Sequence, residues 1–80
     1  MEARVIVTLK GGIFDPQGEA IAGALGDLGF YDVQSIRQGK VFDIVLEKGE
    51  HEKVQEQLEA MCEKLLANAV VENYQINLLS

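Results

Sequence analysis

The stretch GGIFDPQGEAIAGALGDLGFY, residues 11–31, decides how the chain divides into helices and strands. Asp15 and Pro16 are typical of a helix start, because an Asp cap accepts a hydrogen bond from a free backbone N–H group and the Pro has no N–H to satisfy. Apolar side chains then recur at i, i+4 and i+7, at Ile21, Leu25 and Leu28. Gly29 follows where a left-handed cap is favoured. The pattern predicts a helix between Asp15 and Gly29, with its apolar stripe on the core.

Alternating apolar and polar side chains on either side of this helix predict strands. Residues 3–9 show the alternation of a half-buried strand. Three further segments have strand patterns: residues 31–37, 41–47 and 71–79. Gln38 and Gly39 lie between two of them, where a tight hairpin turn is expected. A second helix is predicted over residues 50–67. Its expected buried stripe is Val54, Leu58, Met61, Cys62 and Leu65.

The element order is β-α-β-β-α-β in a single domain of residues 1–80. Right-handed crossovers and antiparallel pairing then favour an α+β, ferredoxin-like sandwich, with a four-stranded antiparallel sheet and both helices on one face. The other face of this sheet stays open, and three apolar side chains are expected on it: Ile6, Val41 and Val45. Such a face usually packs on something. We therefore expect a homodimer or tetramer that uses this surface.

Composition narrows the classes of partner. The 80 residues carry a net charge of −6, which lacks the basic footprint of a protein that binds nucleic acid or anionic lipid. No apolar run approaches the roughly 18 residues that a membrane span needs, and no signal-peptide pattern opens the chain. The single cysteine, Cys62, fits a reducing compartment. A cytoplasmic location is expected.

Nothing in the sequence assembles into a catalytic, cofactor or metal site. Gly11 and Gly12 precede a helix, but no Gly-Lys-Ser/Thr follows, and Asp15 places a carboxylate where a phosphate should sit. His51 is the only histidine and has no metal ligands at suitable spacing. Cys62 lies on the buried stripe, so a core thiol is expected there. The chain is expected to have no catalytic centre of its own.

Two features allow more than one interpretation. Gly23 and Gly26 lie opposite the apolar stripe of the first helix, either as a tolerated solvent-facing defect or as a flat strip for a partner backbone. Four glutamates at 4, 3 and 4 spacing form an acidic ridge on the second helix, either as a solvated face or as a docking surface for a basic protein. The members of this acidic ridge are Glu52, Glu56, Glu59 and Glu63.

Two turns are expected to dock partners more strongly than the acidic ridge does. Arg37 and Lys40 flank the expected hairpin in an otherwise acidic chain, and an Arg fork can grip a carboxylate or phosphate in bidentate fashion. The residues assigned to partner binding are Arg37, Gln38, Gly39 and Lys40 of the hairpin and Asp15, Pro16 and Gln17 of the first helix.

Four segments together are similar to a known family: VTLKGGIFDPQG, ALGDLGFYDV, IRQGK and MCEKLLANAVVENY. In their order, and at this chain length, they resemble the PurS family, the small subunit of bacterial and archaeal phosphoribosylformylglycinamidine synthase. Ala69 is a departure, because a Pro is expected after Asn in that family. This change affects the local cap.

The resemblance implies a non-catalytic subunit of a three-part complex in purine biosynthesis. A glutaminase subunit releases ammonia, and a large synthetase subunit uses ATP and Mg to form the amidine. The small subunit is implied to dimerise, to contact both partners and to assist ammonia transfer. An ACT-type ligand-binding domain shares the element order and stays as the alternative. An RRM-type RNA-binding module needs aromatic side chains on the open sheet face, and this chain has none there. An acylphosphatase-like enzyme needs an anion-binding loop after the first strand, and Asp15 argues against such a loop here.

Overall fold

A computed structural model describes residues 1–79 as three strands and two helices. In chain order these are β1 (Glu2–Leu9), α1 (Pro16–Asp27), β2 (Gly39–Val45), α2 (His51–Met61) with a following π-helical turn (Cys62–Leu66), and β3 (Glu72–Leu78). The strands form one antiparallel sheet in the order β2-β1-β3. The α+β class is therefore confirmed. Over the described residues, no helix has the length and apolarity to cross a bilayer.

The sheet has three strands, so the prediction of four is wrong for this chain. Residues 31–37 form a turn and extended backbone, and they pair with no strand of the described chain. Gly39 is the first residue of β2, so Gln38 and Gly39 do not form the expected hairpin turn. A strand requires a hydrogen-bonded neighbour, and α1 carries residues 31–37 away from β2. Residues 31–37 therefore have the alternating pattern of a strand but no neighbouring strand to pair with in the described chain.

The core lies between α2 and one face of the sheet. Val5 on the central strand stands opposite Phe42 of β2 and Ile76 of β3. The buried apolar side chains come from β1, α2 and the π-helical region: Ala3, Val5, Val7, Val54, Leu58, Cys62 and Ala67. Full burial of a large aliphatic side chain contributes about 1.5–3 kcal/mol. Cys62 is a core thiol as predicted, and burial raises its pKa.

Both ends of α1 form as the sequence predicts. The carboxylate of Asp15 accepts a hydrogen bond from the Gly18 N–H group at 2.9 Å, which caps the helix. At the other end, Phe30 N donates to Leu25 O at 2.9 Å and Gly29 N donates to Gly26 O at 3.0 Å. Gly29 has a φ of 98°, so these two bonds make a Schellman cap at the predicted glycine.

The position of α1 differs from the prediction, because the helix does not cover the sheet. No α1 side chain belongs to the core, and Gly18 is its only buried residue. Leu28 is 73% exposed, and the described molecule measures 49 × 25 × 15 Å. Residues 11–38, which contain α1 and the extended segment after it, are called the arm below. The predicted apolar stripe therefore lies along the arm.

The buried stripe of α2 shifts by one residue at its end. Leu65 was predicted to be buried but is 83% exposed, and Leu66 packs against the core in its place. Ala67 N donates to Cys62 O at 3.0 Å, which is the i→i+5 bond of a π-helix. The wider turn rotates the following side chains, so the 3.6-residue period fails after Cys62.

The first prediction tests this core. Leu58→Ala should lower the free energy of unfolding by about 2–5 kcal/mol, because it leaves a cavity under α2. The exposed control Leu65→Ala should stay within about 0.5 kcal/mol of the original protein. Urea unfolding at one fixed protein concentration measures both. If Leu65→Ala lowered the free energy of unfolding as much as Leu58→Ala does, Leu65 would belong to the core and the shift of the stripe would be contradicted.

Candidate functional site

The base of the arm is held together by the carboxylate of Asp15. This side chain is 6% exposed and accepts from Gly18 N at 2.9 Å and from Gln38 N at 2.7 Å. One carboxylate therefore joins the first turn of α1 to the residue that leads into β2. A Cβ at Gly18 would overlap the carbonyl oxygen of Ile36, so the close approach of the two segments requires glycine there.

Arg37 also holds the base of the arm, through hydrogen bonds to the segment between β1 and α1. Its guanidinium donates to Ile13 O at 2.8 Å, to Lys10 O at 2.9 Å and to Leu9 O at 3.4 Å. The fork thus satisfies carbonyl groups of the segment between β1 and α1. Asp15 and Arg37, with the backbone groups that they bind, are called the base clamp below. The clamp fixes where the arm leaves the sheet.

Electrostatics favour the ionised form of the clamp. The Gln38 N–H group, then the Gly18 N–H group, and to a lesser extent the positive charge of Arg37, hold the pKa of the Asp15 carboxyl below its ordinary value. Because the folded pKa is lowered, this carboxylate stabilises the fold above its unfolded pKa of about 3.9. The contribution is lost as the pH falls through the lower folded pKa.

A cleft of about 340 Å³ lies beside the base clamp. Its floor is apolar, and its rim carries amide groups and the Lys40 ammonium, which lies 3.5 Å from a Glu72 carboxylate oxygen. Six of the seven residues assigned to partner binding line it: Asp15, Pro16, Gln17, Gln38, Gly39 and Lys40. The fold thus brings together the start of α1 and the start of β2, which are more than twenty positions apart in the sequence. A cleft with an apolar floor and few polar groups can hold a protruding side chain.

Arg37 is the assigned residue that does not line this cleft. Its guanidinium engages backbone carbonyl groups of the same chain, so it shapes the cleft through the base clamp. These contacts cannot be predicted from a residue pattern, because every residue carries a backbone carbonyl group. Partner contact by Arg37 stays a prediction.

The arm presents the largest exposed apolar side chains near this site. Ile21 and Leu28 of the α1 stripe are exposed, and so are Phe30 and Tyr31, the last at 85%. Sequence reasoning assigned the stripe to the core of the same chain. The signal for an interface was the run of Phe30 and Tyr31 directly after the helix, since two exposed aromatics beside a stripe suggest a contact surface.

The open face of the sheet carries the three residues expected at an oligomer interface. Ile6 and Val41 stand opposite each other in the β1–β2 register, and Val45 at the strand end is 80% exposed. Between them Arg4 Nε lies 2.8 Å from Asp43 Oδ1. This ion pair lowers the pKa of the Asp43 carboxyl. The face is therefore a mixture of apolar and paired charged groups.

The described part of the chain contains no cluster of metal-ligating side chains. Within residues 1–79, no group of three or more His, Cys, Asp or Glu side chains could hold a metal ion. His51 is exposed at the start of α2. The chemistry that the arrangement supports is contact with other protein surfaces.

The second prediction tests the base clamp. Asp15→Asn removes the charge and one acceptor oxygen, so at pH 7 it should lower the urea midpoint relative to the original protein. The difference should begin to shrink below pH ~4, where the carboxylate of the unfolded protein protonates, and should disappear as the pH falls through the lower folded pKa. Asp32 is an exposed carboxylate in the same arm, so Asp32→Asn should change neither the urea midpoint at pH 7 nor its dependence on pH. Equal midpoints for Asp15→Asn and the original protein at pH 7 would contradict the clamp.

Known proteins are similar to this chain in both sequence and fold. The sequence model of PurS, phosphoribosylformylglycinamidine (FGAM) synthase, matches residues 2–80. The chain is 45% identical over 75 residues to the phosphoribosylformylglycinamidine synthase subunit PurS of Methanocaldococcus jannaschii, with 94% of this chain and 90% of that protein covered. The structure of Bacillus subtilis PurS matches with a TM-score of 0.86 at 38% identity, over 95% of this chain and 94% of that one.

A third match comes from an assembly. A chain of the Thermotoga maritima PurLQS structure has a TM-score of 0.86 at 32% identity, with 98% of this chain and 95% of that one covered. Agreement among family, relatives and structures does not favour the ACT-type alternative. The base clamp, the arm and the three-stranded sheet are thus features of a chain that belongs to the PurS family of phosphoribosylformylglycinamidine synthase.

Proposed function

We propose that this chain is the non-catalytic small subunit of a phosphoribosylformylglycinamidine synthase complex, and that it bridges the glutaminase and synthetase subunits. The observation that carries the proposal is the match, over nearly the whole length of both chains, to a chain of the PurLQS structure. ATP and Mg are then used by the synthetase subunit, and the complex works in the cytoplasm. The contribution of this chain is to hold the two larger subunits so that ammonia passes between them.

The cleft beside the base clamp supports a role in holding partners. It combines an apolar floor with the Gln17 and Gln38 amides and the Lys40 ammonium at the rim. Burial of one apolar side chain from a partner, fixed by one or two hydrogen bonds, is how small interface pockets anchor a complex. We assign this cleft to contact with one of the larger subunits.

The third prediction concerns the coupled reaction. Amidine formation with glutamine as nitrogen donor should fall at least about tenfold, or ~1.4 kcal/mol, when this chain is left out of a mixture of the two larger subunits. Synthesis with added ammonia should fall less, because it does not need transfer between subunits. Equal glutamine-dependent rates with and without the chain would contradict the bridging role. Turnover by the chain alone would contradict the absence of a catalytic centre.

Homodimerisation follows from what a single chain lacks. Met1 and Leu46 exchange hydrogen bonds of 2.8 and 2.7 Å, which fixes the alternation of the β1–β2 ladder. By that alternation, the backbone N–H and C=O groups of Val41, Asp43 and Val45 point to the free edge of β2. A ferredoxin-like sandwich places a fourth strand at this edge and a helix over the adjoining core face.

The arm carries both missing parts. Its residues 31–37 have the pattern of a strand without a partner, and the α1 stripe has no apolar surface to cover. Phe42 and Ile44, on the core face of β2, are only half-buried. Since the base clamp holds the arm off its own sheet, we propose that two copies exchange arms and that each completes the four-stranded sandwich of the other.

The open face offers a second contact between copies. Ile6, Val41 and Val45 supply its apolar part, and the Arg4–Asp43 pair lies among them. We propose that this face joins two arm-exchanged dimers into a tetramer. Mixed faces of this kind suit weaker association than the arm does.

The fourth prediction separates these contacts. The original chain of 8.8 kDa should sediment as a dimer or tetramer at micromolar concentration. Leu28→Asp should weaken the dimer at least about tenfold, because it puts a charge into the exchanged stripe. Leu65→Asp, which is exposed outside the arm, should leave the mass unchanged, and Val45→Asp should convert a tetramer into a dimer. A compact monomer for the original chain would overturn arm exchange.

A further inference from the structure

The free edge of β3 is a second row of unpaired backbone groups. Leu79 N donates to Glu2 O and Lys10 N donates to Val71 O, both at 2.9 Å, so the odd-numbered residues of β3 bond to β1. The N–H and C=O groups of Tyr74, Ile76 and Leu78 consequently point away from the sheet. Within residues 1–79, no strand pairs with this edge.

The acidic ridge of α2 runs alongside this edge. At one end of the ridge, Glu63 accepts a hydrogen bond from the Tyr74 hydroxyl at 2.9 Å. At the other end, ridge residues and Leu78 line a groove of about 470 Å³, whose walls are His51, Glu52, Gln55, Glu56, Glu59 and Leu78. The hydrogen bond at Tyr74 and the groove shared with Leu78 place the ridge alongside most of β3.

The negative charge of the ridge is not neutralised within the described chain. The two ion pairs of residues 1–79 join Arg4 to Asp43 and Lys40 to Glu72, away from the ridge. The ridge carboxylates receive hydrogen bonds only from neutral groups, Gln55 Nε2 at 3.2 Å and the Tyr74 hydroxyl. Like charges at these spacings destabilise a helix by about 0.2–0.5 kcal/mol a pair. A cationic partner would remove this cost.

We propose that the edge of β3 accepts an extended basic segment of another protein as an added strand. The added backbone bonds to the free groups of Tyr74, Ile76 and Leu78, and its alternate side chains face the ridge. Those side chains are Lys or Arg. The eleven residue-to-residue steps from Glu52 to Glu63 span about 16 Å, which equals about five residues of strand. The recognised pattern is therefore basic residues at i, i+2 and i+4.

This inference goes beyond bridging, because it names the chemistry of one contact. It also reverses the expected weight of the two surfaces. The Arg37 guanidinium binds carbonyl groups of its own chain and Lys40 lies near Glu72, whereas the ridge has no cation. The ridge, together with the edge, offers the stronger unsatisfied attraction.

The test uses the full chain and a synthetic peptide in which three lysines alternate with threonine or valine. Its titration into the labelled protein should shift amide resonances along β3 and α2 and increase the hydrogen-exchange protection of Tyr74, Ile76 and Leu78. The double substitution Glu56→Gln with Glu59→Gln should lower the affinity of the protein for the peptide at least about tenfold. The matched control, Glu47→Gln with Glu50→Gln, removes the same charge outside the ridge and should have little effect.

Two peptide controls separate strand addition from charge attraction. N-methylation of alternate residues removes the backbone donors but keeps the lysines, so it should abolish binding. Replacement of the lysines by glutamates should do the same. The proposal is overturned if millimolar peptide leaves β3 unshifted, if the N-methylated peptide binds equally well, or if the β3 amides are already protected in the free protein because a second copy covers them. None of these results depends on the proposed complex, whose failure the coupled assay reports separately.

Discussion

The hydrogen bonds of one carboxylate determine the shape of this chain. Asp15 caps α1 through Gly18 and, with its second oxygen, holds Gln38 at the entry to β2. Arg37 closes the same junction through the carbonyl groups of Lys10 and Ile13. With both ends fixed at one point, residues 11–38 must leave the sheet as a unit. Every later feature, from the missing fourth strand to the exposed stripe, follows from that exit.

An arm that leaves the sheet makes the single chain an incomplete domain. The described core consists of a few aliphatic side chains and one thiol under α2, while Leu28, Phe30 and Tyr31 stay in solvent. A core of this size supplies little net stability, because the entropy of ordering some 80 residues opposes it. Burial of the exposed apolar side chains of the arm on association would add to the stability of the chain. The proposed exchange of arms would bury this surface.

The sequence predicted those features that depend on neighbouring residues. The Asp15 cap, the Gly29 cap and the buried Cys62 each rest on a local hydrogen bond or on period, and the structure has all three. The pattern of residues 31–37 predicted a strand, but a residue pattern does not show whether a neighbouring strand is available to pair with it, and in the described chain none is. The same ambiguity applies to the α1 stripe, since an apolar stripe looks alike in a core and at an interface.

Two other differences have equally physical causes. Leu65 was assigned to the core because the helical period was continued through residues where the backbone widens to a π-helical turn, and Leu66 takes its place. Arg37 was expected to project outward, because a cation at a turn normally does. Its actual partners are main-chain carbonyl groups, which every sequence contains. Six of the seven residues assigned to partner binding do line one cleft, but their contact with a partner stays a prediction.

The two free edges of the sheet differ in the charge that lies beside them. Beside the β2 edge lie Val41 and Val45, the Asp43 carboxylate is neutralised by Arg4, and the Lys40 ammonium of the same strand lies 3.5 Å from a Glu72 carboxylate oxygen. Another copy can approach this edge without electrostatic cost. Pairing through two β3 edges would instead bring two ridges of four glutamates together, and each pair of carboxylates 4 Å apart would cost about 1 kcal/mol even in water. On electrostatic grounds, the neutral edge therefore suits pairing with a second copy of the chain, and the acidic edge suits the proposed basic segment.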